Sequence, residues 1–545
     1  MRMLRKPLLA GALAAAAFGA VQSAPADDQP AREYVVVYES DAGKAAARDA
    51  VADAGGSIVK ENAAIGVATV RSSDADFARK ATAEGALVGA AANKPIGKGD
   101  PGGKKKEIPG ESDQRAAGKA AKAKKGEPLA ANQWDMRMIG ATPEQSYRTQ
   151  PGKRQVLVGI LDTGVDASHP DIRPNFVKSL SPNFTTDMPD IDGPCEDEPD
   201  QSCEDAADTD EGGHGTHVAG TVGAAINGTG IAGVAPKTGI VNLRAGQDSG
   251  YFFLQPSVDA LTFAGDHAID VVNMSYYIDP WLYNCTANPA DTPAQQAEQR
   301  VIIEATQRAL HYAHDRGVTL IAAAGNQDDD LGDPEPENTS PDYPPGTNHP
   351  RDATDDCLSL PTEGDNVLSI SALGPSKRKA YYSNYGISGV DLSAPGGDAR
   401  DSDTPATPRW DTRILSSYPA AVAKEELAAG ADPNGYVTDG KGNYWAWAQG
   451  TSMASPHAVG VAALVVAEYG SKDKSYRGLT LDPAQTESIM REQATDTPCP
   501  AQNPYVYPPP LDPARYTARC DGTPDRNGFY GDGIVNAAAV GADGR

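Results

Sequence analysis

The chain of 545 residues is poor in aromatic side chains, at 6%, and has 6 cysteines and 8 histidines; its 48 Lys and Arg fall well short of its 74 Asp and Glu. Each shortage excludes something. A formal net charge of −26 argues against a nucleic-acid partner, because phosphate binding needs a basic surface that releases counterions. No Cys-x-x-Cys occurs, which removes support for a zinc ribbon or a thioredoxin-type centre. Beyond the N-terminal segment there is no run of about 20 apolar residues, so no membrane anchor is expected downstream. No internal repeat is visible. What is present is 39% hydrophobic residues with charges of both signs, enough to bury a core and to rule out wholesale disorder. At about 150 residues per domain, the length suggests about three folding units.

Arg2, Arg5 and Lys6 precede an apolar, Ala-rich run from Leu8 to Val21, which ends in small residues around Val21-Gln22-Ser23 or Ala24-Pro25-Ala26. That pattern reads as a signal peptide over residues 1–26, so an exported, extracellular protein is expected. Outside the cytosol thiols tend to oxidise. Sequence alone does not choose among the many pairings of six cysteines, but proximity favours Cys195 with Cys203 and Cys499 with Cys520, leaving Cys285 with Cys357.

Residues 33–91 alternate strand-like stretches, such as Tyr34 to Tyr38, with Ala-rich helical ones in the order βαββαβ. This suggests a small ferredoxin-like α+β domain within residues 27–97. Residues 98–131 are rich in Lys, Gly and Ala, including Lys104-Lys105-Lys106, and contain nothing that can bury an apolar face, so they read as a flexible linker. Downstream, 28 basic groups face 58 acidic ones over residues 128–545. There, apolar strands at Val156–Leu161, Ile240–Leu243, Val271–Ser275, Val318–Ala324 and Val367–Ala372 alternate with helices at 215–225, 257–266 and 301–316. The predicted fold class is α/β, a parallel sheet covered by helices on both faces.

Three segments carry chemistry. Val158 to Gly164 places Asp162 where an apolar strand ends, the usual position of sites in open α/β sheets. Gly213-His214-Gly215-Thr216-His217 opens a helix on a histidine; a metal-binding His pair is disfavoured, since no nearby Glu or third His completes a ligand set. Gly450-Thr451-Ser452-Met453-Ala454-Ser455-Pro456-His457 puts a serine at a helix N-terminus, whose dipole and N–H groups favour developing negative charge. Taken singly, these residues are a turn Asp, a helix-start His and an N-cap Ser. Together they supply what a weakly nucleophilic hydroxyl requires: an imidazole to take its proton and a carboxylate to orient the imidazole.

The chain order Asp, His, Ser is that of the subtilisins, and all three segments closely resemble the subtilisin-like serine peptidases. The resemblance spans roughly residues 132–468, with the catalytic domain running to residue 545, and implies a secreted serine endopeptidase with Asp162, His214 and Ser452 as triad. Ile321 to Asn326 resembles the family segment whose Asn amide donates to the oxyanion, which makes Asn326 the oxyanion residue, with the Ser452 N–H as second donor. Asn273-Met274-Ser275 is similar to the strand that pairs with the substrate backbone, and Ala323-Ala324-Gly325 to the opposite wall of the specificity pocket. Where relatives continue into Leu-Gly-Gly this chain has Tyr276-Tyr277-Ile278, rings expected to crowd or reshape that pocket. Asp171 and Asn227 match positions that hold a structural calcium in many relatives; no cofactor is expected for catalysis. The resemblance also implies that the N-terminal domain is a propeptide, an intramolecular inhibitor removed by cleavage in the linker. Protein or peptide substrates and a monomeric enzyme are expected. Long insertions at 187–211, 327–357 and 398–444 flank the expected cleft.

Overall fold

The computed structural model describes residues 31–93, 127–197, 201–354, 356–472 and 478–542. The expected signal segment and linker residues 98–126 lie outside the described residues. Strands β1 (Arg32–Tyr38), β2 (Ser57–Asn62), β3 (Val67–Ser72) and β4 (Leu87–Ala92), with helices α1 (Lys44–Asp53) and α2 (Phe77–Ala83), form an α+β unit with sheet order β2-β3-β1-β4. Its strands alternate faces with period two. Tyr34, Val36, Ala68 and Val70 pack under the two helices, while Val35, Val37, Val67 and Ala91 face the rest of the chain.

The larger unit is built on six parallel strands in the order β10-β9-β8-β7-β5-β6: β5 (Leu157–Leu161), β6 (Gly239–Asn242), β7 (Val271–Met274), β8 (Thr319–Ala323), β9 (Val367–Leu373) and β10 (Leu392–Pro395). The four-residue β10 was not read from sequence. Parallel strands need crossover connections, and the first three of these carry helices: α3 (His214–Gly223), α4 (Leu254–Asp266) and α5 (Pro293–His314). Helix α5 begins two turns before the expected start, because Thr292 and Gln295 form a reciprocal capping box ahead of Pro293. Separate apolar clusters fill the two faces of the sheet. Helix α7 (Thr451–Tyr469) is buried from Thr451 through Ala467, the mark of a core helix apolar on every side.

The outward face of the N-terminal sheet rests on α4 and α5. Val35, Val37, Val67 and Ala91 join Val258, Leu261, Val301 and Ala305 in one buried cluster. At the rim Lys60 Nζ lies 2.7 Å from Asp259, Asn62 donates to Thr262 at 2.9 Å, and Arg308 donates to the Tyr38 carbonyl at 2.8 Å. Lys60 is 60% exposed, so that pair contributes about 0–1 kcal/mol. Each large apolar side chain buried contributes about 1.5–3 kcal/mol. The apolar contact therefore dominates the docking.

The three disulfides join Cys195 to Cys203, Cys285 to Cys357 and Cys499 to Cys520, the pairing that proximity favoured. The second closes the insertion after β8 onto the segment after β7. The acidic insertion of 187–211 is not simply a solvated run. Asp187 and Asp205 turn inward with Asp248 around the buried guanidinium of Arg244, at 3.4, 2.5 and 2.9 Å. A cation of the chain itself sits where an acidic cluster would otherwise call for an ion.

Candidate active site

The registers of β5, β7 and β8 bring their carboxyl ends level, with Leu161 opposite Met274 and Met274 opposite Ala322. The residues that follow these strands therefore meet at one edge: Asp162 after β5, Ser275 after β7 and Asn326 just beyond β8. Helix α3 enters the same edge through Gly213, whose φ of +85° suits glycine. Gly215 lets the helix come close, since a Cβ there would clash with the Gly164 carbonyl and crowd Asp162. As a result His214 Nδ1 lies 2.7 Å from Asp162 Oδ1, which also accepts the Thr163 N–H at 2.8 Å. Asp162 is fully buried, while the His214 side chain is 25% exposed. With Nδ1 engaged, the imidazole presents Nε2 to the cleft.

Ser452 is the second residue of α7, where backbone N–H groups have no helical carbonyl to pair with. Pro456, four residues on, brings no N–H to the Ser452 carbonyl; the Ser275 hydroxyl donates to that carbonyl instead, at 3.1 Å. His214, Ser452 and Asn326 line one cleft of about 280 Å³. Asn326 Oδ1 accepts from the Thr451 N–H and from its hydroxyl, both at 2.9 Å. This holds Oδ1 against the start of α7 and fixes the plane of the amide at the cleft.

Some expected site residues lie elsewhere. Ser275, Tyr276, Ala323 and Gly325 line the cleft, whereas Asn273, Met274 and Ala324 are fully buried. Alternation explains this correction. The Asn273 amide bonds Ser275 and Ser455 under α7, and Met274 points into the core on the other face of the sheet. Tyr276 stacks on Phe252 with ring centroids 4.3 Å apart, and the Tyr277 hydroxyl donates to Asp342 of the 327–357 insertion at 2.5 Å. Both rings line the cleft. His217 does not approach His214 as a ligand pair would; its Nε2 lies 3.1 Å from the Ala446 carbonyl, and burial, with His214 nearby, pushes its pKa down to about 3.

At the expected calcium position, Asp171 Oδ2 accepts from Trp445 Nε1 and the Ile231 N–H, while Oδ1 is buried with no hydrogen bond among the described residues. Burial pushes its carboxyl up to about 7. Asn227 fits less well, since its side-chain oxygen accepts the Thr229 N–H. Glu127, at the end of the expected linker, lies against the same loop. Its Oε1 accepts the Gly228 N–H at 3.0 Å, and its buried Oε2 also has no hydrogen bond among the described residues. Two carboxylate oxygens so placed suit a hard cation.

Sequence reasoning missed two supports of the site. Asp210, inside the acidic insertion, is buried and accepts from Thr163 Oγ1, the Gly213 N–H, and the Thr216 N–H and hydroxyl at 2.6–2.9 Å. Burial raises its pKa and these donors oppose the shift. It thereby locks the end of β5 to the start of α3. Asn384 is the second. Its amide oxygen accepts the Gln327 and Asp329 N–H groups, its Nδ2 donates to the Ala324 carbonyl and Gln327 Oε1, and Gln327 Oε1 in turn accepts the Asn326 N–H at 2.9 Å. Gly325, at φ +103°, passes so close to that amide that a Cβ would strike it. Replacing Asn384 by alanine is expected to lower kcat about tenfold or more, less than the roughly 10²–10³ for losing an oxyanion donor outright. KM should stay within about twofold, in steady-state assays at matched folded fraction.

The subtilase family model matches residues 153–520, more than half of the chain, and the chain belongs to that family. It is a subtilisin-like serine endopeptidase. It is 27% identical to subtilisin DY of Bacillus licheniformis over 63% of this chain and 84% of that protein. It is 26% identical to the epidermin leader peptide-processing serine protease EpiP of Staphylococcus epidermidis, over 68% of this chain and 71% of that one. Of fervidolysin from Fervidobacterium pennivorans, 28% identical over 63% of this chain, it covers 39%. Among solved structures it shares the fold of EpiP from Staphylococcus aureus, with a TM-score of 0.61 at 19% identity over 94% of this chain and 99% of that one.

Proposed function

We propose that the chain is a secreted precursor that hydrolyses peptide bonds through Asp162, His214 and Ser452 and frees itself by cutting its own linker. The hydrogen bond of 2.7 Å from His214 to Asp162, beside Ser452 at a helix end, carries this reading. Ser452 Oγ attacks the scissile carbonyl carbon and its proton passes to His214 Nε2. The Asn326 amide and the Ser452 N–H bind the oxyanion. His214 then gives the proton to the leaving amine, and water releases the acyl group by the same route. Asp162 holds the imidazole in the tautomer that leaves Nε2 free to accept, and its charge favours the imidazolium that forms. Labelling of Ser452 by a serine-directed peptide phosphonate tests this, and an active triad requires one adduct per chain on that residue.

The N-terminal unit acts as the propeptide. Its apolar docking on α4 and α5 supports this, as does its position ahead of a Lys-rich segment. The cationic, apolar start of the chain and three disulfides favour an extracellular location; one relative is named an extracellular protease, from Xanthomonas campestris. Asp171 and Glu127 are the residues that would hold a structural calcium, which neutralises their buried charge and takes no part in the chemistry. Millimolar calcium is expected to raise the melting temperature of the wild type by several degrees and that of Asp171→Asn by less than 1 degree, as a ligand well above its Kd contributes about 3–4 kcal/mol and each of these shifts a domain of about 400 residues by about 1 degree. Differential scanning calorimetry reads the difference. Narrow selectivity is favoured over broad digestion by the Tyr277 wall tied to Asp342.

A further inference from the structure

The hairpin of β12 (Tyr436–Thr438) and β13 (Tyr444–Ala448), with β11 (Ile414–Tyr418) paired on the other side of β13, leads directly into the nucleophile segment. Between β11 and β12 the chain inserts helix α6 (Ala420–Ala428). Tyr418 packs against Gly213, next to His214, so closely that any side chain there would meet its ring. From α6, Glu426 reaches into the catalytic cleft, where its carboxylate accepts the hydroxyls of Tyr418, at 3.1 and 3.2 Å, and of Tyr436, at 2.6 Å. All three side chains are half-buried.

This wall stands beyond His214. The acyl half of a substrate lies along Ser275 to Tyr277 and the pocket at Ala323 and Gly325, and His214 hands its proton to the departing amine, so the His214 wall faces the leaving-group half. The first substrate in the proposed precursor is the linker. Residues 98–126 hold 9 Lys or Arg against 4 Asp or Glu, in a chain otherwise strongly acidic. A carboxylate braced by two phenols keeps its place, and its half-buried setting strengthens a charge-assisted hydrogen bond.

We propose that Glu426 is a specificity residue that selects a Lys or Arg side chain at the first or second position after the scissile bond. The inference rests on the peptidase reading above and names its substrate class. It implies that the cut in the linker falls just before a basic residue.

The test compares wild type, Glu426→Gln and Tyr436→Phe on internally quenched peptides that differ only after the scissile bond: Arg, Lys, Ala or Asp at those two positions. Wild type is expected to favour Arg and Lys over Ala about tenfold in kcat/KM, the size of one charge-assisted hydrogen bond. Glu426→Gln should lose at least four-fifths of that preference, read as the ratio of kcat/KM for the Arg or Lys peptide to that for the Ala peptide within each protein. Tyr436→Phe, which loosens the brace but keeps the carboxylate, should retain the basic preference. The same profile in wild type and Glu426→Gln, with the Ala peptide cleaved by both, overturns the proposal and leaves the peptidase reading intact. A wild type that cleaves none of the peptides overturns both.

Discussion

Ser452→Ala is expected to lower peptide hydrolysis by about 10⁶, the scale found when a subtilisin loses its nucleophile. The loss is large because nothing else at the helix end can form the acyl-enzyme. The neighbouring hydroxyls of Ser275 and Ser455 are committed to the Ser452 carbonyl and to Asn273. What remains would be about 10³–10⁴ over water, from the oxyanion donors and binding alone. The exchange removes one oxygen from a side chain that is 5% exposed, so the fold should persist. Substrate affinity should be retained, and burst kinetics with an active ester should show no acyl-enzyme.

Asp162→Asn should cost about 10⁴ in kcat near neutral pH with KM within about threefold. The position has no room for compromise. Oδ1 is shared by His214 and the Thr163 N–H, and Oδ2 is buried with no hydrogen bond among the described residues. An amide there either leaves a buried NH₂ without an acceptor, at about 1–3 kcal/mol, or turns a donor toward Nδ1 and selects the wrong tautomer. In both cases the imidazolium loses its counter-charge. Activity of wild type falls as pH drops and the imidazole protonates, since only the neutral ring accepts the serine proton. In the Asn variant the loss should shrink at high pH, and pH profiles of kcat/KM for both proteins check the sign.

Asp162, His214, Ser452 and Asn326 were legible as candidates because each lies in a short segment whose neighbours state its local job: a strand end, a glycine entry, a helix start. Their supports were not legible, because they come from distant segments. Asp210 sits in an acidic insertion, and only the approach of β5 and α3 buries it. Asn384 clamps residues 324–329 from nearly 60 positions away, and Glu426 belongs to an insertion whose direction the sequence does not show. Asn273 and Met274 illustrate a finer limit, since a motif identifies the strand that meets substrate but not which of its two faces a side chain takes. Glu127 escaped notice beside Asp171 for a similar reason, as residues 127–131 lie against the loop at Gly230 instead of continuing as linker.

The most direct test of the account is the intact mass and N-terminal sequence of the protein, wild type beside Ser452→Ala, each produced in a protease-free host. Wild type should lose the N-terminal unit through a cut between Gly97 and Gln133, while Ser452→Ala should keep it. Equal processing of both proteins, or a wild type that stays uncut and takes no phosphonate, would contradict the claim that this chain activates itself through Ser452.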